Sequence, residues 1–313
     1  MASYLIKRIL ATIPVMLFVA VFIFLLLRLT PGDPAAMLAG DFANDAQIAE
    51  IRNKLGLDQP LWKQFGLWIS DMLRFELGES FYYKKQVSEL ILQRIEPTLS
   101  LSLLTIIMTV LIAVPFGTLA AYKQGSWLDR GIMGFSVIGF SVPVFVIGYG
   151  LVYIFSVQLG WLPVQGYQRI GDGVGGWLYR LILPAIALSV IFVAFIARMT
   201  RTSVLEVLGE DYIRTARAKG QTEFRVLMRH ALRNAAVPIV TVIGLAIAIL
   251  IGGVVVTESV FTIPGLGLLT VEAVLNRDFP TIQAVILFFS VVYVLINLAV
   301  DVSYTLLDPR IRY

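Results

Sequence analysis

The sequence of 313 residues contains no cysteine and a single histidine, His230. Disulfide bonds, thiolate metal sites and multi-histidine metal sites are therefore excluded. The sequence also lacks the G-x-x-x-x-G-K-S/T phosphate loop and the H-E-x-x-H zinc motif. Without the backbone cradle and the lysine of a phosphate loop, this chain should not hydrolyse ATP by the P-loop route.

Charge is scarce as well. Charged residues make up 15% of the chain, whereas soluble domains carry about 25%. Hydrophobic residues make up 58%, and they collect in six runs that each contain no charged residue. A helix that spans a bilayer needs about 20 mostly apolar residues, and backbone groups in lipid must pair internally. The runs are residues 9–27, 97–122, 132–157 (within a longer run, 131–168), 181–197, 234–257 and 279–300.

These runs predict an all-α integral membrane protein with six transmembrane helices. The first run follows Lys7 and Arg8, is 19 residues long and ends without a small-residue cleavage pattern. It is longer than the apolar region of a signal peptide, roughly 7–15 residues, so we expect it to be retained as a helix. The fourth run is short and is expected to extend past Arg198. The pair Gly252-Gly253 inside the fifth run predicts close helix packing.

The placement of basic residues predicts the orientation. Fourteen basic residues lie in the N-terminus, the 123–130 loop, the 198–233 loop and the C-terminal tail, against three in the two short loops of the other side. By the positive-inside rule we expect both termini to be cytoplasmic. The predicted organisation is a first helix (1–30), an external loop (31–95), a five-helix domain (96–306) with a cytoplasmic loop (201–235), and a tail (307–313).

Residues 61–75 of the external loop carry apolar side chains at helical spacing. Two interpretations stay open: a helix that lies on the membrane or on its own bundle, and a docking surface for an external partner. Aromatic residues gather at membrane interfaces in any case, which favours the first. The residues expected to share one face are Trp62, Phe65, Trp68, Ile69 and Met72.

The most informative segment is the cytoplasmic loop, where residues 206–238 predict two helices. Gly220 suits the end of the first helix, because a left-handed backbone costs glycine little, and Thr222 is placed to cap the second. The second helix carries Phe224, Val226, Leu227 and Leu232 between basic residues. Charge alone would also fit a loop bound to anionic lipid, but a helix pair broken by glycine is more structure than that needs.

This loop resembles the signature of membrane subunits in bacterial ABC importers, which is E-A-A, three residues, glycine, nine residues, then I-x-L-P. Ala216, Gly220 and Leu232 match it, whereas the glutamate position holds Arg214 and the proline position holds Arg233. The departure is similar to the dipeptide/oligopeptide/nickel permease branch, whose loops read like residues 211–220 and 229–235. Further stretches similar to that branch are residues 29–34, 55–60, 160–163, 258–267 and 308–312.

The resemblance implies a type I ABC importer fold of the first-permease type, with a long external loop, in the inner membrane of a bacterium. It implies a second homologous permease subunit, one or two ATPase subunits that bind the ATP and magnesium, and an external solute-binding protein; no cofactor in this chain and no nucleic-acid partner are expected. The expected substrate is a di- or oligopeptide or a similar solute, such as glutathione, a nickel chelate or a sugar derivative. The residues expected to contact an ATPase are Asp211, Tyr212, Arg214, Thr215, Ala216, Lys219, Gly220 and Leu232.

Two other classes of protein would explain the apolar runs. A secondary carrier usually keeps ionisable residues within its spans, and here the runs contain none. A passive pore or a membrane scaffold needs no helix pair in a cytoplasmic loop. Membrane lipid is a partner under every interpretation.

Overall fold

A computed structural model describes residues 2–29, 35–36, 44–54 and 56–307. Among the stretches that carry the resemblance, residues 30–34 of stretch 29–34, Leu55 of stretch 55–60 and the whole of 308–312 lie outside the described residues. The described part is helical apart from turns and one isolated β-bridge. Its helices are α1 (Ala2–Leu29), α2 (Asp45–Lys54), α3 (Leu61–Leu73), α4 (Val87–Tyr122), α5 (Trp127–Ser141), α6 (Val144–Leu151, continued as a π-helix over Val152–Gln158), α7 (Val174–Leu208), α8 (Asp211–Ala218), α9 (Glu223–Arg225, continued as a π-helix over Val226–Leu232), α10 (Ala236–Phe261), α11 (Leu266–Leu275) and α12 (Phe279–Leu307).

Five described helices are long and apolar enough to cross a membrane, and the pair α5–α6 makes a sixth if the bent pair counts as one span. The helices run beyond the predicted apolar stretches. Helix α4 begins at Val87 rather than residue 97, and α7 continues to Leu208 rather than ending near Arg198. A helix keeps its hydrogen bonds after it leaves the lipid, so the apolar run marks the span and not the helix ends.

The continuous third span predicted over residues 132–157 is wrong in shape. Helices α5 and α6 are bent by 103° at Val142 and Pro143. Val142 is extended (φ −92°, ψ 125°), which is the conformation that a following proline favours. Pro143 is the N-cap residue before α6, at φ −60°, where its missing N–H costs no helical hydrogen bond.

The described residues divide into two compact units, Met1–Gln93 with Leu269–Val292, and Arg94–Leu268 with Tyr293–Tyr313. In the first unit, α3 packs on the end of α1. The rings of Phe65 and Trp68 lie 5.2 and 5.7 Å from the ring of Phe24. Arg28 donates to Gln64 at 2.9 Å, with its guanidinium 3.6 Å from the centre of the Phe24 ring.

This contact favours the first interpretation of residues 61–75, a helix that lies on its own bundle, because Phe65 and Trp68 face α1. Trp62, which the helical spacing placed on the same face, is 76% exposed.

A second contact in this unit fixes the loop after α3. The Asp278 carboxylate is fully buried and accepts hydrogen bonds from the Ser80 hydroxyl, the Phe81 N–H and the Thr281 hydroxyl.

The second unit is built around α7, which buries a larger share of its apolar window than any other described span. Helices α5, α6 and α10 pack against it. Small residues set the close approaches: a Cβ at Gly117 would lie 2.5 Å from the Ala197 carbonyl oxygen. A Cβ at Gly253 would lie 3.0 Å from Leu188, whereas one at Gly252 would meet nothing within 4 Å. The close packing predicted for the glycine pair therefore holds at Gly253 alone.

Candidate functional site

The candidate site is the helix pair formed by α8 and α9. The chain reverses between them at Gly220, whose φ is +76°. The Gln221 N–H donates to the Ala216 carbonyl at 3.2 Å, which is the six-residue hydrogen bond of a Schellman turn. Thr222 precedes α9 as predicted, but its side chain accepts no capping hydrogen bond. The turn is therefore defined by the left-handed glycine rather than by a side-chain cap.

An apolar seat holds the inner side of the helix pair. The seat consists of Ile213, Ala216 and Val226, all buried and packed together with Val207 and Leu208 at the end of α7. Burial of these side chains fixes the orientation of α8 relative to α7, because rotation of α8 would expose them to water. Leu232 belongs to the adjoining cluster around Val204, Ala231 and Ala235.

The other predicted site residues lie on the outer side of the pair, where they are exposed: Asp211, Tyr212, Arg214, Thr215, Lys219 and Gly220. Arg214 stands where the importer signature has glutamate, and its guanidinium pairs with Asp211 at 2.6 Å. Partial burial raises the pKa of the Tyr212 phenol, and Glu210 adds to the effect, so Tyr212 presents a neutral hydroxyl. Ala216 is the exception, since it is 9% exposed and points into the seat.

Two features of the helix pair were not predicted from the sequence. Arg217 donates to both carboxylate oxygens of Glu223, at 2.9 and 3.2 Å, and this pair joins the two helices across the turn. Opposite charges six residues apart, on either side of a glycine, were the available signal. Phe224 was grouped with the apolar face of the second helix, but it is 75% exposed. The outer surface therefore combines cations with an aromatic ring.

A charged clamp holds the base of α7, ahead of the helix pair. Arg201 binds Asp129 through two hydrogen bonds, of 2.5 and 2.7 Å, and the second oxygen of Asp129 also accepts from the Gly125 N–H at 2.9 Å. The Asp129 side chain is 5% exposed. Because the acid and its cation lie 72 residues apart in the chain, no local pattern could have predicted the pair.

A buried carboxylate occupies the far end of the unit. Glu258 is fully buried in the last turn of α10. It accepts hydrogen bonds from the Thr98 hydroxyl at 2.6 Å and from the Leu268 N–H at 3.0 Å, and the Thr98 hydroxyl in turn accepts from the Leu266 N–H at 2.8 Å. These bonds satisfy the first turn of α11, where a negative charge is favourable. A Cβ at Gly265 would lie 2.1 Å from Glu258, so this carboxylate explains the glycine.

The fifth apolar run contains no charged residue, and Glu258 follows it directly, within the four residues by which α10 extends past the run. Its oxygens are engaged by α4 and α11, which is the behaviour of a structural carboxylate. Among the described residues, no group of three or more histidine or acidic side chains is placed to hold a metal ion.

Comparison with known proteins supports the resemblance to membrane subunits of ABC importers. Residues 113–313 match the family described as the binding-protein-dependent transport system inner membrane component, and residues 1–102 match its N-terminal counterpart. The chain is 56% identical to a probable peptide ABC transporter permease protein, y4tP of Sinorhizobium fredii, over the full length of both. It is 46% identical to the glutathione transport system permease protein GsiC of Salmonella typhi, again over the full length of both.

The fold is similar to that in a solved structure of the MetNI methionine ABC transporter in an inward-facing conformation. The TM-score is 0.59 at 20% identity, over 70% of this chain and 96% of the other.

Proposed function

Because this chain belongs to the family of binding-protein-dependent transport system inner membrane components, we propose that its helix pair is the surface on which a separate ATPase docks. The chain is a membrane-spanning permease subunit of an ABC importer. ATP and magnesium then bind to the ATPase subunits, in line with the absence of a phosphate loop from the whole sequence.

The observation that carries the proposal is the division of the helix pair into two sides. The inner side is locked to α7 by the apolar seat, whereas the outer side exposes Tyr212, Lys219 and Phe224 around the Gly220 turn. A force applied to the outer side is therefore transferred to α7 rather than dissipated in a loop. A segment that only attracted anionic lipid would need the cations but neither the seat nor the Arg217–Glu223 bridge.

The remaining partners follow from the family. A second homologous permease subunit completes the translocation path, an external solute-binding protein delivers the substrate, and one or two ATPase subunits drive the cycle. The distribution of basic residues supports a cytoplasmic location for both termini and the helix pair. A path lined by uncharged spans lets a solute pass without holding it tightly, so selectivity rests largely with the binding protein.

The proposed substrates are di- and oligopeptides. The relatives named above are described as peptide and glutathione permeases, and glutathione is itself a small peptide-like solute. Nickel chelates and sugar derivatives are the alternatives that an assay has to include.

The test is reconstitution. The chain is expressed with the permease, ATPase and binding-protein genes that we expect beside it, and the complex is placed in proteoliposomes. Uptake of labelled dipeptides, tetrapeptides or glutathione should require ATP and the binding protein, and it should stop with a non-hydrolysable ATP analogue. Uptake that continues without ATP would identify a passive pore. Hydrolysis of ATP by this chain alone would contradict the division of labour.

A further inference from the structure

An apolar groove opens on the second unit between α4, α5 and α7. Its volume is about 320 Å³, and its walls include Ile112, Phe116, Gly131, Phe135, Val190 and Val193. Phe116 and Phe135 are 48% and 46% exposed, so the groove is open to the surroundings of the bundle. It belongs to neither the helix pair nor the Glu258 cluster.

The groove offers almost no hydrogen bonding. Ser189 is the one lining residue with a polar side chain, and its hydroxyl already donates to the Ile186 carbonyl at 2.9 Å. A ligand that fits this surface is hydrocarbon, because a polar group placed here would lose its water without gaining a partner.

One end of the groove is basic and aromatic. Two lining residues are close in sequence to cations. Gly131 follows Arg130 in the chain, and Phe116 lies about two helical turns before Lys123. Arg130 stacks over Trp127 at 5.5 Å and Lys123 over Tyr122 at 5.3 Å. Trp127 is 86% exposed, and tryptophan is enriched at the interface between a membrane and water.

The local charge at this end is positive because the nearby acid is already neutralised. Asp129 is held by Arg201, whereas Lys123 and Arg130 form no ion pair with any residue that the structure describes. An apolar groove that ends at two cations and an exposed tryptophan matches a molecule with a hydrocarbon chain at one end and an anionic head at the other.

We propose that this groove binds an anionic phospholipid of the cytoplasmic leaflet, with an acyl chain along the apolar walls and the phosphate at Lys123 and Arg130. The leaflet assignment rests on the proposed orientation of the chain. A protein segment would need carboxylates opposite both cations, and it would have to bury Trp127. A phospholipid neutralises the two cations with one phosphate, and Trp127 then lies at the interface between the membrane and water.

Two glycines of α5 give a matched pair of variants. A Cβ at Gly131 or at Gly134 would meet nothing within 4 Å, so both positions accept a larger side chain. Gly131 lines the groove and Gly134 does not. Gly131→Phe therefore fills the groove, whereas Gly134→Phe adds the same ring to the same helix elsewhere.

The experiment is native mass spectrometry of the purified full chain with palmitoyl-oleoyl phosphatidylglycerol or phosphatidylcholine. The wild type should retain phosphatidylglycerol preferentially, and Lys123→Gln with Arg130→Gln should reduce that preference by about 25-fold, at roughly 5-fold for each cation. Gly131→Phe should lose most bound lipid of both kinds, and Gly134→Phe should bind like the wild type.

Equal retention by Gly131→Phe and Gly134→Phe, or equal binding of the two lipids by the wild type, would overturn the proposal. So would a crosslink from Gly131→Cys, the single thiol in an otherwise cysteine-free chain, to the second permease subunit, because protein would then cover the groove. Lipid retention is measured without transport. If the reconstituted wild type shows no ATP-dependent peptide uptake while Gly131→Phe and Gly134→Phe still differ in lipid retention, the proposed function is rejected and this inference stands.

Discussion

Replacement of Gly220 by valine should uncouple transport from ATP hydrolysis. The φ of +76° at this position costs glycine little, but it costs an L-residue with a side chain about 1–2 kcal/mol or more. A Cβ at Gly220 would meet nothing within 4 Å, so the expected effect comes from the backbone conformation and not from a clash at Cβ. An energy of that size changes the population of the native turn by about 5- to 30-fold.

Transport by the reconstituted importer should fall by about the same factor, roughly 5- to 30-fold, if only the native turn engages the ATPase. Membrane insertion and pairing with the second permease should be unchanged. Gly220→Asn should retain much of the activity, because asparagine tolerates the left-handed region better than valine does. Arg225→Ala should have a small effect, since one lipid-facing cation contributes only about 1 kcal/mol.

Gly125 supplies the control. Its φ is +77° and a Cβ there would also meet nothing within 4 Å, so Gly125→Val carries the same backbone cost in a different loop. Transport and ATPase co-purification are measured for both variants. If Gly125→Val loses as much transport as Gly220→Val, the effect is general destabilisation. If Gly220→Val transports normally while Arg225→Ala does not, the helix pair acts through charge and the reasoning from shape is refuted.

Three further predictions follow from the clamp, the buried glutamate and the basic residues. Arg201→Gln leaves the buried Asp129 carboxylate without its cation and should lower the free energy of unfolding by on the order of 3 kcal/mol. Asp129→Asn in the same chain should restore much of the loss, as measured by thermal unfolding. Additive effects in the double variant would show that the two residues do not stabilise the chain as a pair. Gly265→Ala should destabilise the chain by about 1–3 kcal/mol through overlap with Glu258, whereas Gly252→Ala, which meets open space, should be near neutral in the same assay. Reporter fusions after Gly125 and Arg214 should report cytoplasm and those after Glu50 and Arg169 the exterior; an external signal at Arg214 would rule out contact with an ATPase.

The spans were predictable because lipid imposes one requirement on every residue in them. Each apolar run corresponds to a helix or to the bent pair, since backbone groups in hydrocarbon have no partner other than the helix itself. The helix ends were not predictable, because they depend on tertiary hydrogen bonds. Glu258 remains helical and buried only because Thr98 and the start of α11 satisfy it, from positions 160 and 10 residues away.

The prolines also show that local sequence does not decide where a helix bends. Pro14, Pro97, Pro115 and Pro184 lie inside long helices, while Pro143 coincides with a bend of 103°. All five remove a backbone donor, but a helix interrupted within a bundle is repaired by its neighbours. The local sequence identifies a possible break, and the packing of the surrounding helices decides where the chain bends.

The candidate site was predictable in its turn and not in its supports. Gly220 followed from the conformational preference of glycine at a helix end, and its left-handed backbone is confirmed. That its neighbours contact an ATPase stays a prediction. The seat and the Arg201–Asp129 clamp join residues from separate helices, so they depend on a fold that periodicity alone does not specify.

The central claim is tested most directly by a crosslink from the helix pair. The natural chain contains no cysteine, so Lys219→Cys and Lys63→Cys each introduce one unique thiol, on the exposed side of the helix pair and on α3. A short bifunctional reagent is applied to the assembled importer. We expect a crosslink between position 219 and an ATPase subunit, and none to that subunit from position 63. A position 219 that is labelled by an impermeant external reagent and never joins an ATPase would contradict the docking of an ATPase on the helix pair.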